Sequence, residues 1–353
     1  MCDNAFSAVR DRLIANLESG DELGASIVVD IDGRGVVDIW GGQRDLDRTT
    51  PWGENTITNV VDRGLLDPYA PVARCWPEFA AGGKDQIEVR HLMSHTSGVS
   101  GWDRPFTTED MYDWEKSTAK LAAQQPWWDS RTTSGYHAAN QGHLIGELIR
   151  RATGRSLRQF VAEEIAGPLD ADFSIGADER HWGRIADIVP PPPPMTDAYP
   201  DPMWIRRRTF LGPLVDARSA NTPEWRRADM GALNGHGNAR SVAHIKSVIS
   251  RGGEGLLGRD AIDLAFDEQC NGVDLALGVP LRFGMGFGLP QLDTIPYIPD
   301  ERICFWGGWG GSLTVMHPET RMTFSHVMNK VGPGIIGSAR AEHYLRATYA
   351  AMI

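Results

Sequence analysis

The sequence predicts an α+β fold, in which an antiparallel sheet is flanked by helices and an all-helical domain is inserted. Two observations predict this class. Short β-rich runs lie near both ends of the 353-residue chain, whereas the middle shows apolar residues at helical spacing. We therefore expect residues 1–60 and 235–353 to form the sheet domain and residues 61–234 to form a mostly helical domain. The chain is long enough to bury a sizeable core.

The first predicted elements are a helix and a hairpin. Apolar side chains of residues 5–17 fall on one stripe of an amphipathic helix. Two β-rich runs follow at 26–31 and 36–40, and the Asp32-Gly33 pair between them is a good hairpin signal. Residues 56–60 are a third strand candidate.

The middle of the chain is predicted to be helical. A helix over 108–124 begins at a threonine cap with acidic residues in its first turn, and another covers 139–152. A third helix is predicted at 156–165, because residues 156–159 have the sequence of a capping box. The five prolines at 190–194 exclude a helix and predict an extended surface loop.

The last part of the chain returns to strands. Helices are predicted at 241–250 and 259–266, and a closing helix at 339–351. Between them, runs that alternate or are apolar predict strands at 285–289, 302–306, 312–316 and 322–328.

Composition excludes several classes of function. The formal net charge is −11, with 46 acidic against 35 basic residues, whereas a nucleic-acid-binding surface needs an excess of basic residues. No apolar run approaches the roughly 20 residues of a membrane helix, and the first residues carry charge without an apolar signal segment. We expect a cytoplasmic protein without a nucleic-acid or membrane partner.

No metal or cofactor motif stands out. His91 and His95 are four residues apart and could share a metal on one helix face, but no third ligand accompanies them, so a structural role is favoured. The four cysteines are far apart and match neither a metal site nor a disulfide framework. No phosphate-binding loop is present. The sequence thus predicts no cofactor and no metal.

Three segments could carry hydrolytic chemistry. Ser117 and Lys120 form the one Ser-x-x-Lys in the chain, although its position in the middle of a predicted helix favours a chance match. Tyr136 directly precedes the helix over 139–152 and could point into a cleft or simply pack there. The glycine-rich run Phe305–Ser312 either exposes backbone N–H groups that stabilise an oxyanion or is a bulge packed with tryptophans.

Taken together, these segments resemble the serine β-lactamase-like superfamily, which includes class C β-lactamases, penicillin-binding proteins and related carboxylesterases. The resemblance is carried, in order, by residues 61–72, residues 89–99, Tyr136 and the box Trp306-Gly307-Gly308. It implies that Tyr136 is catalytic, that the box lines the substrate pocket, and that the backbone N–H of Trp309 forms half of an oxyanion hole. Trp306 stands where the lactamases carry a carboxylate-binding lysine, so the resemblance is closest to the carboxylesterases and implies uncharged ester substrates.

The chain departs from this family at one place. The family carries its nucleophile in a Ser-x-x-Lys at the start of a buried helix, but here residues 56–60 directly precede the turn at 61–68, and the roughly fifteen residues of a four-turn helix are missing. A general base at Tyr136 would also need a lowered pKa, because a free tyrosine titrates near 10. Three explanations stay open: an incomplete sequence, a catalytically inactive relative, or another serine such as Ser117.

The predicted function is therefore a serine carboxylesterase that forms an acyl-enzyme with a small uncharged ester. Two alternatives remain. One is a catalytically inactive protein that binds a ligand in the same cleft, and the other is transfer of the acyl group to an alcohol. The sequence leaves the oligomeric state open.

Overall fold

The computed structural model describes residues 1–54, 58–59, 67–191, 205–253 and 256–353. The strands, in chain order, are β1 (Gly24–Ile31), β2 (Arg34–Gly42), β3 (Thr58–Asn59), β4 (Phe173–Ile175), β5 (Gly235–Gly237), β6 (Cys270–Val273), β7 (Pro280–Phe283), β8 (Gly288–Leu289), β9 (Cys304–Gly307), β10 (Leu313–His317) and β11 (Met322–Met328).

The α-helices, in chain order, are α1 (Ser7–Ser19), α2 (Val72–Cys75), α3 (Val89–Met93), α4 (Trp114–Ala123), α5 (Gln141–Thr153), α6 (Leu157–Val161), α7 (Ile205–Leu211), α8 (Pro223–Arg227), α9 (Ala239–Ser250), α10 (Arg259–Phe266) and α11 (Ala339–Ala350). Short 3₁₀ or π turns adjoin several of them. Among the described residues, no helix is both long and apolar enough to cross a membrane.

Eight strands form an antiparallel sheet in the order β2-β1-β11-β10-β9-β8-β7-β6. The amino-terminal hairpin β1–β2 therefore joins the sheet beside the last strand, β11. A second, three-stranded sheet has the order β3-β5-β4. This architecture confirms the predicted α+β class with an antiparallel sheet, while the division of the chain at residues 60 and 235 stays a prediction.

Helices cover both faces of the large sheet. Alternate residues of a strand point to opposite faces, so Ile27 of β1 packs in one core cluster with Leu13 of α1 and Leu345 of α11. The next residue, Val28, packs instead against Ala239 and Ala243 of α9 on the other face. A further large core lies among α2, α3, α4 and α5, away from the sheet.

Several local predictions are confirmed. Asp32 and Gly33 have φ angles of 53° and 79°, as a tight turn between β1 and β2 requires. Ser156 and Gln159 form the predicted capping box at α6. Strands at the predicted places near 304, 313 and 322 and the closing helix α11 are also present.

Other local predictions were wrong. The helix predicted over 108–124 is a 3₁₀ turn at Glu109–Tyr112 followed by α4, which begins at Trp114 because Asp113 caps it by accepting the N–H of Lys116. Of the strand predicted at 285–289, only Gly288–Leu289 forms, while the neighbouring strands β6 and β7 were missed. Most of the proline run, the residues flanking β3 and the start of the predicted turn at 61–68 lie outside the described residues.

Candidate functional site

Tyr136 and the glycine-rich segment meet at one pocket. Its lining is mostly apolar and consists of Tyr136, Leu281, Arg282, Phe283, Gly288, Phe305, Trp306, Gly307, Ile335 and Ile336. The cavity volume is about 20 Å³, room for about one water molecule.

Strand pairing positions one wall of this pocket. Trp306 and Gly307 end β9 and lie opposite Thr314 and Leu313 of β10. Beyond them the chain turns sharply at Gly310 and Gly311, whose φ angles of 91° and 117° favour glycine. Gly308 and Trp309 begin this turn and are not among the residues that line the pocket.

The backbone N–H of Trp309 in this turn has no acceptor in the part of the chain that the structure describes. The N–H of Gly308 donates to Ser312 O at 3.0 Å, that of Gly310 to Gly334 O at 2.8 Å, and that of Gly311 to Gly308 O at 3.1 Å. A backbone N–H can stabilise a developing oxyanion, and the role that the family resemblance implies for Trp309 stays a prediction.

Tyr136 is held by the hairpin between β6 and β7. Its backbone N–H donates to Asp274 Oδ1 at 3.1 Å, and the same oxygen accepts the N–H groups of Ala276 at 2.9 Å and Leu277 at 2.8 Å. Burial and the nearby Asp274 carboxylate raise the pKa of the Tyr136 hydroxyl well above its usual value. At neutral pH this hydroxyl is therefore a hydrogen-bond donor and not a base.

Aromatic rings surround the tyrosine. The ring centroid of His95 lies 4.9 Å from that of Tyr136 and 5.5 Å from that of Trp306, on which it stacks. Phe283 adds an edge contact to His95 at 4.9 Å. Residues 89–99 carry part of the family resemblance, but nothing in their sequence indicates that His95 lies beside both candidate residues.

His95 itself has an unusual environment. It adopts φ 63°, which is uncommon for a residue other than glycine, and its Nδ1 accepts the N–H of His137 at 3.1 Å. Burial lowers the pKa of His95 well below its usual value, so the neutral ring carries its proton on Nε2. This Nε2 is buried and has no hydrogen-bond partner among the described residues. The other candidate ligand, His91, lies in α3 and accepts the Glu88 N–H through Nδ1. Because α3 ends at Met93, before His95, the two histidines do not share a helix face.

Ser97 forms a hydrogen bond with His137, the residue that follows Tyr136 in the chain. Ser97 Oγ lies 2.6 Å from His137 Nε2, and His137 Nδ1 lies 2.8 Å from the carbonyl oxygen of Gly135. The carbonyl fixes the proton on Nδ1, so Nε2 accepts from the serine. Both side chains are buried and neither lines the pocket, which makes this pair a structural hydrogen bond rather than a nucleophile open to substrate.

The alternative pair Ser117 and Lys120 does not reach the site. Ser117 is fully buried in α4, where its Oγ donates to Asp110 O at 3.0 Å. None of the five lysines of the chain lines the pocket; they are Lys84, Lys116, Lys120, Lys246 and Lys330. The structure thus contradicts Ser117 as a surrogate nucleophile beside Tyr136. The absence of the Ser-x-x-Lys helix concerns the junction at residues 60–66, which lies outside the described residues.

Comparisons with known proteins agree with this architecture. Residues 56–348 match the family model described as Beta-lactamase. The Esterase/beta-lactamase LipL of Mycobacterium tuberculosis is 31% identical over 357 residues, covering 91% of this chain and 80% of LipL. The crystal structure of a family VIII carboxylesterase has a TM-score of 0.90 and 34% identity, covering 99% of this chain and 98% of that one. A penicillin-binding protein homologue from Caulobacter crescentus has a TM-score of 0.89 and 32% identity, with coverage of 99% and 98%.

Proposed function

Because this chain belongs to the beta-lactamase family, we propose that it is a carboxylic-ester hydrolase that acts on small uncharged esters. The observation that carries the proposal is the apolar pocket that Tyr136 and Trp306 line together. The names of LipL and of the family VIII carboxylesterase support the reaction class.

The lining of the pocket supports an uncharged substrate. Arg282 is the one charged lining residue, and its guanidinium already pairs with Glu268 and, at 3.5 Å, with Asp300. A substrate carboxylate would therefore find no free cation among the lining residues and would lose its hydration. The aliphatic side chains of Leu281, Ile335 and Ile336 suit the acyl or alkyl part of an ester.

Two donors can act on the ester. The Trp309 N–H can bind the carbonyl oxygen as it becomes negative, because a fixed dipole near a low-dielectric pocket needs no reorganisation. The protonated Tyr136 hydroxyl can donate a hydrogen bond to the carbonyl or to the leaving oxygen. This role for Tyr136 replaces general-base catalysis, which would require a lowered pKa.

Whether the protein has a nucleophile distinguishes ester hydrolysis from a second function, ligand binding without catalysis. Among the described residues that line the pocket there is no serine and no lysine, and this observation favours a catalytically inactive protein that binds an uncharged ligand there. Transfer of the acyl group to an alcohol would use the same pocket and the same donors as hydrolysis.

The test combines turnover with a covalent probe. Hydrolysis of p-nitrophenyl butyrate and intact-mass analysis after a fluorophosphonate are measured on the full chain. We expect turnover and a loss of at least about a hundredfold in kcat in Tyr136→Phe; a single adduct would identify a nucleophile that is not among the described lining residues. The exposed Tyr69→Phe is the matched control, and Ser117→Ala should retain activity.

Two outcomes would contradict the proposal. Folded protein that shows neither turnover nor adduct favours the binding protein, and binding of uncharged esters should then be measured directly. An equal loss of kcat in Tyr69→Phe and Tyr136→Phe would show that the Tyr136 hydroxyl has no specific role in catalysis. Faster release of p-nitrophenol when an alcohol is added, with a new ester as product, would indicate acyl transfer.

A further inference from the structure

A cluster of possible metal ligands lies far from the pocket. Glu301, His317 and Glu319 each offer one ligand atom, and these atoms all lie within 4.8 Å of one another. Within the described part of the chain, this is the one group of three or more His, Cys, Asp or Glu side chains with such spacing. Nothing in the proposed ester hydrolysis uses it.

The fold brings these residues together from separate segments. His317 is the last residue of β10, and Glu319 lies in the turn that leads to β11. Glu301 precedes β9, whose Cys304 pairs with Met316 next to His317. The opposite end of β10 pairs with Gly307 at the pocket, so the cluster and the pocket lie at opposite ends of one strand. Inspection for short-range histidine spacing could not reveal this site.

The histidine points at the carboxylates. His317 is 2% exposed, and its Nε2 lies 3.0 Å from Glu301 Oε2 without forming a hydrogen bond. The Tyr349 hydroxyl of α11 lies 3.4 Å from Nδ1 on the other side of the ring. If Nδ1 carries the proton toward this oxygen, the Nε2 lone pair faces the carboxylates, as in metal-binding histidines whose second nitrogen is fixed by a neighbour.

We propose that Glu301, His317 and Glu319 bind a divalent ion of the zinc class. Bonds of about 2.1 Å to imidazole nitrogen and carboxylate oxygen place neighbouring ligand atoms roughly 3.4 Å apart in a tetrahedral site. The observed 3.0 Å between Nε2 and Oε2 fits this spacing, and small rotations of the two glutamates close the remaining gap. One position stays open to water.

The chemistry of the ligands selects the ion. An imidazole nitrogen suits zinc-class ions, whereas calcium and magnesium prefer oxygen ligands alone. The side chain of Glu301 is 51% exposed, so an ion enters from solvent without unfolding. The bound ion would connect the segment before β9 to the β10–β11 turn and, through Tyr349, to α11. We therefore expect it to stabilise this end of the sheet and to leave the pocket unchanged.

The test is zinc binding by the full chain. The protein is freed of metal by dialysis against EDTA, and Zn²⁺ and Ca²⁺ binding are measured by calorimetry together with metal analysis. We expect one equivalent of Zn²⁺, no competition by Ca²⁺, and at least a hundredfold weaker binding in His317→Asn. Removing a neighbour of a ligand typically weakens binding 10–100-fold, so Tyr349→Phe should fall in that range.

The controls separate this site from adventitious binding. His343→Asn removes an exposed histidine from the same helix, α11, and should bind zinc like the parent protein. Glu319→Gln changes an exposed side chain and should weaken binding even if His317→Asn fails to fold. Absence of zinc binding, equal binding by Glu319→Gln and the parent, or competition by Ca²⁺ at equal concentration would overturn the proposal. None of these results depends on esterase activity.

Discussion

Arg340 at the start of α11 should be one of the most important single side chains for stability. Its guanidinium donates to Glu22 Oε2 at 2.6 Å and to three carbonyl oxygens, those of Asp21 at 3.0 Å and of Gly310 and Lys330 at 2.8 Å. It therefore joins α11 to the segment after α1 and to the turn that carries Trp309. We expect Arg340→Met to lower the free energy of unfolding by about 3–5 kcal/mol.

The magnitude follows from what the substitution leaves behind. The Glu22 side chain is 0% exposed and that of Arg340 is 11% exposed, so solvent cannot replace the lost guanidinium. The carboxylate would keep His326, whose Nε2 lies 3.0 Å from Glu22 Oε1, but it would lose its guanidinium partner. Removing one partner of a buried ion pair typically costs 3–5 kcal/mol, and the freed carbonyls each add to that cost.

Urea unfolding, followed by tryptophan fluorescence, measures this loss. Arg346→Met is the matched control, because Arg346 lies on the same helix but pairs with Glu342 at 53% and 33% exposure. It should cost about 0.5 kcal/mol or less. In the double variant Glu22→Gln with Arg340→Met, the cost should be clearly smaller than the sum of the two single costs. A loss in Arg340→Met no greater than in Arg346→Met would refute the reasoning.

Two further predictions concern pH and the glycine turn. Burial lowers the pKa of several histidines, among them His137, to about 3, and His91, His143 and His236, to about 4. Below about pH 6.5 the unfolded chain, with histidine pKa values near 6.5, binds more protons than the folded chain. The free energy of unfolding is therefore highest above about pH 6.5 and falls toward pH 4 by up to roughly 1.4 kcal/mol per pH unit for each histidine. Urea midpoints at pH 7.5, 6 and 5 should show this fall, and an equal dependence of the midpoint on pH in His236→Gln would contradict it. Gly310→Ala should lower the free energy of unfolding by at least about 2 kcal/mol, because φ is 91° and the new Cβ would lie 2.5 Å from Val331 Cγ1. In Gly307→Ala the nearest contact of the new Cβ is at 3.4 Å, so the loss should be less than about 1 kcal/mol. Equal urea midpoints for these two variants would contradict the assigned turn geometry.

The sequence could predict those elements whose signals are local. The turn at Asp32-Gly33 and the capping box at Ser156 depend on neighbouring residues, so both could be identified without tertiary information. The edge strand β6 could not be predicted, because three of its four residues are exposed and it has neither apolar alternation nor a hairpin signal. The start of α4 was misplaced because two residues, Thr108 and Asp113, can each cap a helix, and periodicity does not choose between them.

Some features of the site could likewise be predicted from the sequence, and others could not. The motif order placed Tyr136 and Trp306 as candidates, and the structure brings both to one pocket, while their catalytic roles stay predictions. The contact of His95 with both rings depends on a left-handed backbone at His95, which no pattern of residue types indicates. The sequence alone also could not predict that the pKa of Tyr136 is raised, because the shift results from burial and from Asp274, which is distant in sequence.

The pairing of β1 with β11 determines when this protein can fold during synthesis. Val28 lies opposite Ser325, so the centre of the sheet joins residues from the two ends of the chain. A ribosome must release the chain as far as β11 before the hairpin β1–β2 finds its partner, and such distant contacts form slowly. A nascent chain that stops before β11 leaves β1 as an open apolar edge, which is a site for aggregation. Late truncations should therefore cause loss of the whole protein, however little of the pocket they remove.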